Sequence, residues 1–347
     1  MGPPETRSPS KEKHMQHSLN PLAVIGTIGA IGMAMASTLH SGAALAQAYP
    51  SKPVTIIVPF AAGGPVDTET RRYAVRLSEM LGQQFITDYK PGAGTSIGAA
   101  FVAKQKPDGY TLMSDSSAYA VFPAFYKDLT FDPVTDLIPI TQMSQLVSVL
   151  MVPASSPIKS FADYVAYAKA NPGKINYGNS GVGDISHLSG EWMQSMLGIK
   201  VTFVPFKGNG PMVLELMAGR VDIASASSSQ ALPLIKSGKL RPLAIKGPNR
   251  IKPLPDTPAV SEYPGMKDYA DVNWLGFFAP AGTPGPIIDK LNTTLVSIVR
   301  LPAVMAELEA QASTPVGNTQ AQFKAHVVEE IARWKKVVAQ AGIKPED

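Results

Sequence analysis

Two loops built largely from small residues are the part of this sequence best suited to chemistry. The first, Phe60 to Gly64, follows an apolar strand-like run and leads to Asp67, where a helix is predicted to begin. The second loop runs from Lys90 to Gly98. Glycine permits positive φ and close backbone approach, and a helix N-terminus presents unpaired N–H groups, so both loops suit an anion. Together they predict a crevice that binds a carboxylate or a phosphate.

Each loop also has a simpler interpretation. Gly63 and Gly64 could form only a tight turn between a strand and a helix. In the second loop, the run from Gly92 to Gly98 departs from the dinucleotide-binding fingerprint, because three residues rather than two precede its last glycine. It also lacks a convincing acidic partner for a ribose, so nucleotide binding is disfavoured.

Asp67 lies in the first turn of a predicted helix. A carboxylate at that position can accept hydrogen bonds from unpaired N–H groups and complement the helix dipole. The sequence therefore leaves two roles open for Asp67, helix capping and ligand contact.

Serine-rich turns follow two of the predicted strands. Ser116 and Ser117 follow a strand predicted to end at Ser114, and Ser227 follows one predicted over residues 221–224. In an open α/β sheet the carboxyl ends of the strands face the ligand crevice. These hydroxyls therefore suit a polar ligand, although serine-rich turns are also common where no ligand binds.

Catalytic and metal-binding constellations are missing from the sequence. After residue 48 the only histidines are His187 and His326, and the chain has no cysteine. His187 and Glu191 share one helical face, yet no HExxH motif or third ligand accompanies them, so a packing role for His187 is favoured. No nucleophile elbow or Walker A lysine motif occurs. We therefore expect no catalytic residue, no metal and no cofactor.

Strands and helices alternate along the chain. Helices are predicted over residues 67–81, 96–104, 185–197, 212–218 and 231–237, and four more are predicted to begin near residues 160, 284, 302 and 321. Strands are predicted over residues 54–59, 84–89, 110–114, 146–152, 175–177, 201–205, 221–224, 240–246 and 272–279. This alternation predicts an α/β fold with a parallel sheet covered by helices. The length of 347 residues exceeds the usual size of a single domain, so two lobes are expected.

The first 48 residues have the layout of a secretory signal peptide. A basic start that contains Arg7 and Lys11 precedes an uncharged, mostly apolar run over residues 22–39, and Ala46-Gln-Ala48 supplies the small-x-small cleavage pattern. An uncleaved membrane anchor is disfavoured because the run is short and glycine-rich and ends at a cleavage-type site. The formal net charge is only +4, and no basic stripe is present, so nucleic acid is not an expected partner.

An ordered series of motifs extends along the chain after residue 48. It comprises Tyr49-Pro-Ser-Lys-Pro53, Pro59-Phe60 with Gly63-Gly64, Asp67 and Arg71, Pro91-Gly-Ala-Gly94, Pro107-Asp-Gly-Tyr-Thr-Leu112, His187-Leu188, Gly219-Arg-Val-Asp222, Leu254-Pro-Asp-Thr-Pro258, Phe278-Ala-Pro-Ala-Gly-Thr-Pro284 and Ala341-Gly-Ile343. In this series the chain resembles the periplasmic substrate-binding proteins of tripartite tricarboxylate transporters, the Bug family.

The resemblance implies a two-lobed periplasmic binding protein, type II-like, with the ligand cleft between the lobes. Residues 49–150 and 273–347 would form lobe 1, and residues 151–272 would form lobe 2. The implied function is a monomeric receptor that captures a small organic carboxylate (a dicarboxylate, an amino acid or an aromatic acid) and delivers it to a membrane permease of this transporter type. A periplasmic ligand sensor with a signalling partner is an alternative, and a periplasmic hydrolase is a weaker one.

The loops and the resemblance together give a predicted ligand-binding set. Phe60, Gly63 and Gly64 would surround the ligand carboxylate, with main-chain N–H groups as donors. The full set is Phe60, Gly63, Gly64, Asp67, Gly94, Thr95, Ser116, Ser117, Asn179, Ser180, Gly183, Asp184, Phe206, Gly208 and Ser227.

Two of these positions depart from the family pattern. Asp184 stands where relatives generally have Ser, so a hydrogen-bond donor is replaced by an acceptor that is anionic at neutral pH. Phe206 stands where relatives usually carry Tyr, which removes a phenolic hydroxyl. The second half of the pocket is therefore expected to favour anions less, and to be more aromatic, than that of its relatives.

The N-terminal segment generates a direct prediction. We expect the exported protein to begin at or next to Tyr49, because the cleavage pattern ends at Ala48. Intact-mass measurement of protein from the periplasm checks this, and a mass that still includes residues 1–48 would contradict it.

Overall fold

The structure is a computed structural model that describes residues 49–343. The signal peptide predicted over residues 1–48 lies outside the described residues, as do residues 344–347. Within the described range, strands and helices alternate along most of the chain, and nearly all of the predicted elements are present.

Ten strands form one mixed sheet in the described range. They are β1 (Val54–Val58), β2 (Phe85–Tyr89), β3 (Thr111–Ser116), β4 (Leu137–Pro153), β5 (Asn176–Asn179), β6 (Thr202–Pro205), β7 (Ile223–Ser227), β8 (Leu240–Ile245), β9 (Val272–Pro280) and β10 (Ser313–Pro315).

The helices cover the sheet and connect its strands. They are α1 (Pro65–Leu81), α2 (Ser96–Ala103), α3 (Ala118–Phe125), α4 (Phe161–Ala170), α5 (Ile185–Leu197), α6 (Asn209–Met217), α7 (Ser228–Lys236), α8 (Gly285–Val299), α9 (Pro302–Ala310) and α10 (Gln320–Gln340), with short 3-10 turns at Ala93–Thr95 and Val260–Glu262.

The long strand β4 organises the sheet, whose order is β2-β1-β3-β9-β4-β7-β5-β6. Its first part pairs with β9 from Leu137 to Val147, and its last part pairs with β7 and β8 from Ser148 onward. Strands β1, β2 and β3 are mutually parallel, as are β5, β6 and β7. The predicted parallel arrangement is therefore correct for these two groups, but it is wrong for the centre of the sheet, where β9, β4 and β7 pair antiparallel.

The two groups of parallel strands point toward each other. Strand β3 is antiparallel to β9, and β9 is antiparallel to β4, so β3 and β4 run in the same direction. Strand β7 is antiparallel to β4 and therefore runs in the opposite direction to β3. Ser116, at the end of β3, pairs with Leu275 of β9, which in turn pairs with Ser144 of β4. Ser227, at the end of β7, pairs with Ser148 of β4. The carboxyl ends of both groups therefore meet near the middle of β4.

The buried core has separate parts on the two sides of this junction. One pair of clusters is built mostly around residues 54–143 and 274–338, with Tyr73 and Trp334 among its largest buried side chains. The other pair is built from residues 149–269, with Tyr164 and Tyr177 at its centre. Each side of the molecule therefore has apolar packing of its own, which stabilises the strand ends between them.

Three elements differ from the sequence predictions for identifiable physical reasons. The first half of β4 was not predicted, because its register shifts near Pro139 and Gln142 interrupt the two-residue alternation. Helix α3 is buried on almost every face and contains Pro123, so it has no amphipathic period to recognise. Strand β10 has only three residues, too few to give a pattern.

Among the described helices, none is by itself long and apolar enough to cross a membrane, whereas the bent pair Gly285–Val299 and Pro302–Ala310 meets that test by length and composition when taken together.

The packing of α10 against the sheet depends on a glycine. Gly276 of β9 faces the ring of Phe323, and a Cβ at this position would lie 2.6 Å from Phe323 Cε1. Phe323 is fully buried beside Trp274, so its ring has little room to move. The missing side chain at Gly276 is therefore what lets the last helix approach the central strands.

We expect Gly276→Ala to lower the free energy of unfolding by about 1–3 kcal/mol, the usual cost of overpacking a core. Gly285→Ala is the matched control, because a Cβ there meets no atom within 4 Å and the backbone needs no positive φ; it should leave stability unchanged or slightly higher. Urea unfolding of the two variants measures the difference, and equal stabilities would contradict the assignment.

Candidate ligand-binding cleft

A cavity of about 840 Å³ lies where the two groups of strand ends meet. Its walls come from the loops that follow β1, β2 and β3 on one side and β5, β6 and β7 on the other. Its floor includes Leu146 and Ser148 of β4 and Asn273, Trp274 and Leu275 of β9. A crevice at the carboxyl ends of the strands is where α/β sheets bind their ligands.

The first glycine loop is held from behind by Asp67. Gly63 has a φ of +83°, which favours glycine, and its N–H donates to Asp67 Oδ2 over 2.8 Å. Asp67 Oδ1 accepts from Arg71 Nε and from the Tyr89 hydroxyl, each at 2.9 Å. Asp67 is 3 % exposed and is not part of the cavity wall. The structure therefore places Asp67 as a support for the loop, and the Gly63 N–H that was predicted as a ligand donor is already used.

Gly64 is the N-cap residue of α1, with φ of −78° and ψ of 173°. This extended conformation is open to any residue, and a Cβ there would have only the Ala61 carbonyl oxygen, at 3.6 Å, within 4 Å. The importance of Gly64 therefore lies in the space that it leaves at the cavity wall, and the positive φ belongs to Gly63.

The second glycine loop has an unusual backbone. Gly92, Ala93, Gly94 and Thr95 have positive φ in succession, with values of 132°, 44°, 57° and 87°. Positive φ is unfavourable for Ala and especially for the β-branched Thr. Thr95 is 2 % exposed, and its side chain interacts with the buried carboxyl group of Asp115 behind the wall. The surrounding structure therefore holds a strained loop at the cavity wall, as is common at binding sites.

The loops of the two sides touch at Gly94. A Cβ on Gly94 would lie 3.3 Å from the carbonyl oxygen of Gly183 and 3.2 Å from the ring of Tyr126. Gly183 itself lies under the ring of Phe125, outside the cavity wall. Both glycines are therefore required by close packing across the cleft.

Asp184 caps helix α5 at the opposite wall. Its Oδ1 accepts from the Ser186 N–H at 2.9 Å and from Ser180 Oγ at 2.8 Å. Asn179, just before this loop, is 1 % exposed and uses its Oδ1 to accept from the Gly181 N–H at 3.0 Å. Asp184 and Ser180 thus line the cavity, whereas Asn179 supports the loop from behind.

The predicted set divides into wall residues and supporting residues. Eleven of the fifteen line the cavity, namely Phe60, Gly63, Gly64, Gly94, Thr95, Ser116, Ser180, Asp184, Phe206, Gly208 and Ser227. The other four, Asp67, Ser117, Asn179 and Gly183, lie behind the wall, and Ser117 Oγ donates to Asn273 Oδ1 over 2.8 Å. Sequence reasoning missed several charged or polar wall residues, among them Glu69, Arg72, Gln230, Asp271 and Gln311. None of these stands in a recognisable motif.

Carboxyl groups dominate one part of the cleft. Burial raises the pKa of Asp184, and the nearby Asp271 carboxylate adds to the rise, whereas hydrogen bonds from Ser186 and Ser180 oppose it. Behind Thr95 and Ser116, Asp115 is fully buried, and this burial raises its pKa to about 8, with a further contribution from Asp184. These carboxyl groups therefore influence one another across the cleft.

A buried ion pair supports the same region. Lys246 Nζ lies 3.0 Å from Asp271 Oδ2, and both side chains are almost completely buried. Burial by itself lowers the pKa of Lys246, but Tyr177, Tyr269 and Asp271 raise it, and the result is well above its ordinary value. The ammonium is thus charged and fixed behind the cavity wall.

No group of three or more His, Cys, Asp or Glu side chains within residues 49–343 is arranged to hold a metal ion. His187 packs edge-on against Phe125 and Phe203, and burial lowers its pKa. Its arrangement is that of a packing histidine next to Glu191, with 3.7 Å between Nε2 and Oε1.

The architecture and cleft are those of a periplasmic binding protein, and three solved structures match them closely. A Rhodopseudomonas palustris protein, Rpa4515 with adipate, is 36 % identical with a TM-score of 0.82, and the match covers 86 % of this chain and 100 % of that one. The periplasmic binding protein BugD is 30 % identical with a TM-score of 0.81 over 86 % and 100 % of the chains. MatC from R. palustris with bound malate is 30 % identical with a TM-score of 0.78 over 84 % and 100 %.

Residues 70–343 match the sequence profile of TctC, described as the tripartite tricarboxylate transporter family receptor. The chain belongs to this family, which includes the Bug proteins. The family consists of solute-binding receptors and not of enzymes, so the resemblance drawn from the motifs is confirmed.

The buried carboxyl of Asp115 makes stability depend on pH. Its folded pKa of about 8 lies above the unfolded value near 3.8, so between these values the folded state binds more protons and stability falls as pH rises. The slope from this group is at most about 1.4 kcal/mol per pH unit. We expect Asp115→Asn to gain stability relative to the wild type as pH rises from 5 to 8.

Urea unfolding at several pH values measures this difference. Below about pH 3, which is well under the unfolded pKa near 3.8, both states of the wild type bind the proton, so there the gap between variant and wild type should stop changing with pH. Parallel curves from pH 5 to 8 would contradict the assigned environment of Asp115.

Proposed function

We propose that this protein is a periplasmic receptor that binds a small organic carboxylate in the cleft between its two sides and delivers it to a membrane permease of the tripartite tricarboxylate transporter type. The observation that carries the proposal is the convergence of glycine loops and helix N-termini on one cavity. Helices α1, α2, α6 and α7 begin at or beside wall residues. Helix N-termini offer unpaired N–H groups and the positive end of the helix dipole, which favour a carboxylate.

The relatives support a carboxylate as the ligand. Adipate and malate are both small dicarboxylates, and both are bound by proteins that share this fold at 30 % identity or more. In the present chain Phe60 and Phe206 lie at the cavity wall, so apolar carbon chains or rings of the ligand also have contact partners.

The proposed lobes are residues 49–150 with 273–347, and residues 151–272. Their boundaries fall within β4 and at the start of β9, the two strands that connect the sides of the molecule. Closure of such lobes needs a ligand that contacts both of them, because a ligand shifts an equilibrium only through its preference for one state. The cavity wall includes Gly64 and Thr95 on one side and Ser180 and Gly208 on the other, which supports contacts of this kind.

Export to the periplasm is part of the same proposal. The leader-like residues 1–48 favour secretion, and the family description connects the receptor to a transporter. A sensor for a signalling partner would use the same cleft, so the genomic neighbourhood is informative: adjacent genes for a many-span permease and a small four-span protein would favour transport.

The wall position of Gly64 provides the mutational test. We expect Gly64→Val to reduce carboxylate affinity at least tenfold, because the new side chain enters the space for backbone-to-carboxylate approach while the backbone remains allowed. The ligand is first identified by a thermal-shift screen of carboxylates that includes adipate and malate, since a ligand at 100 times its Kd adds roughly 2.7 kcal/mol of stability.

Calorimetric titration of that carboxylate then measures the affinity. Gly285→Val is the matched control: it also places Val at the start of a helix, but away from the cleft and in open space. Unchanged affinity in Gly64→Val would remove the first glycine loop from the site, and the absence of any carboxylate that stabilises the wild type would overturn the proposed function.

A further inference from the structure

The cleft has an acidic end, which we define as Asp115, Asp184 and Asp271. Asp184 and Asp271 both line the cavity, and Asp115 lies directly behind the wall residues Thr95 and Ser116. The acidic end therefore contains carboxyl groups from three separate segments of the chain.

Lys246, the cation within this cluster, is already saturated. Its Nζ donates to Ser189 Oγ at 2.6 Å and to Ser225 Oγ at 3.3 Å, and it pairs with Asp271 Oδ2 at 3.0 Å. An ammonium has three N–H donors, so these contacts use all of them. Because Lys246 is also completely buried, it cannot serve a ligand in the cavity.

Asp271 keeps one oxygen without a donor. Its side chain is 2 % exposed and lines the cavity, yet Oδ1 has no hydrogen-bond partner among the described residues. A buried carboxylate oxygen without a donor is costly, and in native proteins it usually has a partner. A donor on a ligand bound against Asp271 would give this oxygen the partner that it lacks.

Neither of the other two cations at the cavity wall, Arg72 and Lys207, forms an ion pair with Asp184 or Asp271 among the described residues. Arg72 has Nε 2.6 Å from Glu307 and lies beside Glu69 on α1. Lys207 is an exposed residue of the wall. A second ligand carboxylate at the acidic end would therefore lie next to the carboxyl group of Asp184, which has no ion-pair partner among the described residues, and this is unfavourable when that group is ionised.

The same cleft thus offers two opposite environments. The helix N-termini and glycine loops suit a carboxylate, whereas Asp184 and Asp271 suit a cation that donates hydrogen bonds. On the basis of the proposed receptor function, we propose that the physiological ligand is zwitterionic. Its carboxylate would lie at the helix N-termini, and its ammonium group would lie at the acidic end, between Asp184 and Asp271.

The titration behaviour of the acidic end agrees with this placement. The raised pKa values of Asp184 and Asp115 reflect burial together with neighbouring carboxyl groups. A ligand ammonium supplies the missing positive charge and favours the ionised form of the carboxyl groups around it.

The test uses matched pairs of ligands that differ only at the far end. Each pair keeps one carboxylate and a similar length, and it replaces the second carboxylate by an ammonium: succinate with 4-aminobutyrate, adipate with 6-aminohexanoate, and terephthalate with 4-(aminomethyl)benzoate. Calorimetric titration of the purified protein gives the ratio of the two Kd values within each pair. In the best-binding pair the ammonium compound is expected to bind at least tenfold more tightly.

The same ratio is then measured in variants. Asp184→Asn and Asp184→Ser remove the charge and can still cap α5. Asp163→Asn is the matched control, because Asp163 also lies in the first turn of a helix but is exposed and outside the cleft. Both Asp184 variants should shift the ratio at least tenfold toward the dicarboxylate, which corresponds to about 1.4 kcal/mol, and the control should not.

The outcomes separate this inference from the proposed function. Equal or tighter binding of the dicarboxylates to the wild type would overturn the zwitterion while leaving the carboxylate receptor in place. A preference for the ammonium compounds that survives in both Asp184 variants would overturn the assignment to the acidic end. If neither member of any pair binds and the thermal-shift screen also finds no carboxylate ligand, the carboxylate receptor itself fails, and the inference fails with it.

Discussion

The pairing of β4 is the constraint on which the rest of this structure depends. This strand of seventeen residues, Leu137–Pro153, pairs with β9 along its first part and with β7 and β8 along its last part. Because β3 runs along β4 and β7 runs against it, two parallel groups of strands point their carboxyl ends at each other. The loops that follow those strands are then forced into one cleft, although they are far apart in the chain.

The loops at the wall of that cleft are supported by side chains that lie behind them. Asp67 holds the Gly63 N–H, and Asn179 holds the Gly181 N–H. These supporting carboxylate and amide groups consume backbone donors that would otherwise face the cavity. Their effect is to fix the loop conformations before a ligand arrives, which reduces the entropy cost of binding. The strained φ at Thr95 belongs to the same design, because strain persists only where surrounding contacts determine the loop.

Charge is distributed unevenly around the cavity. The helix N-termini present partial positive charge, whereas another part carries the carboxyl groups of Asp184 and Asp271, and the cation that pairs with Asp271, Lys246, is buried and fully engaged. A buried ion pair contributes little to stability by itself, because desolvation offsets most of the attraction. The arrangement is therefore more informative about what the cleft selects than about what holds the fold together.

The sequence by itself determined the α/β class, the family, most helix and strand positions, and the loops that line the cleft, because glycine, serine and helix-start signals are local. Eleven of fifteen predicted site residues line the cavity, yet nothing local distinguished the wall residue Gly64 from the supporting residue Asp67. Only the tertiary structure decided the antiparallel centre of the sheet, because the register shifts in the first half of β4 interrupt the two-residue alternation that would predict a strand. It also decided the acidic end, because Asp115, Asp184 and Asp271 lie in separate segments that only folding brings together.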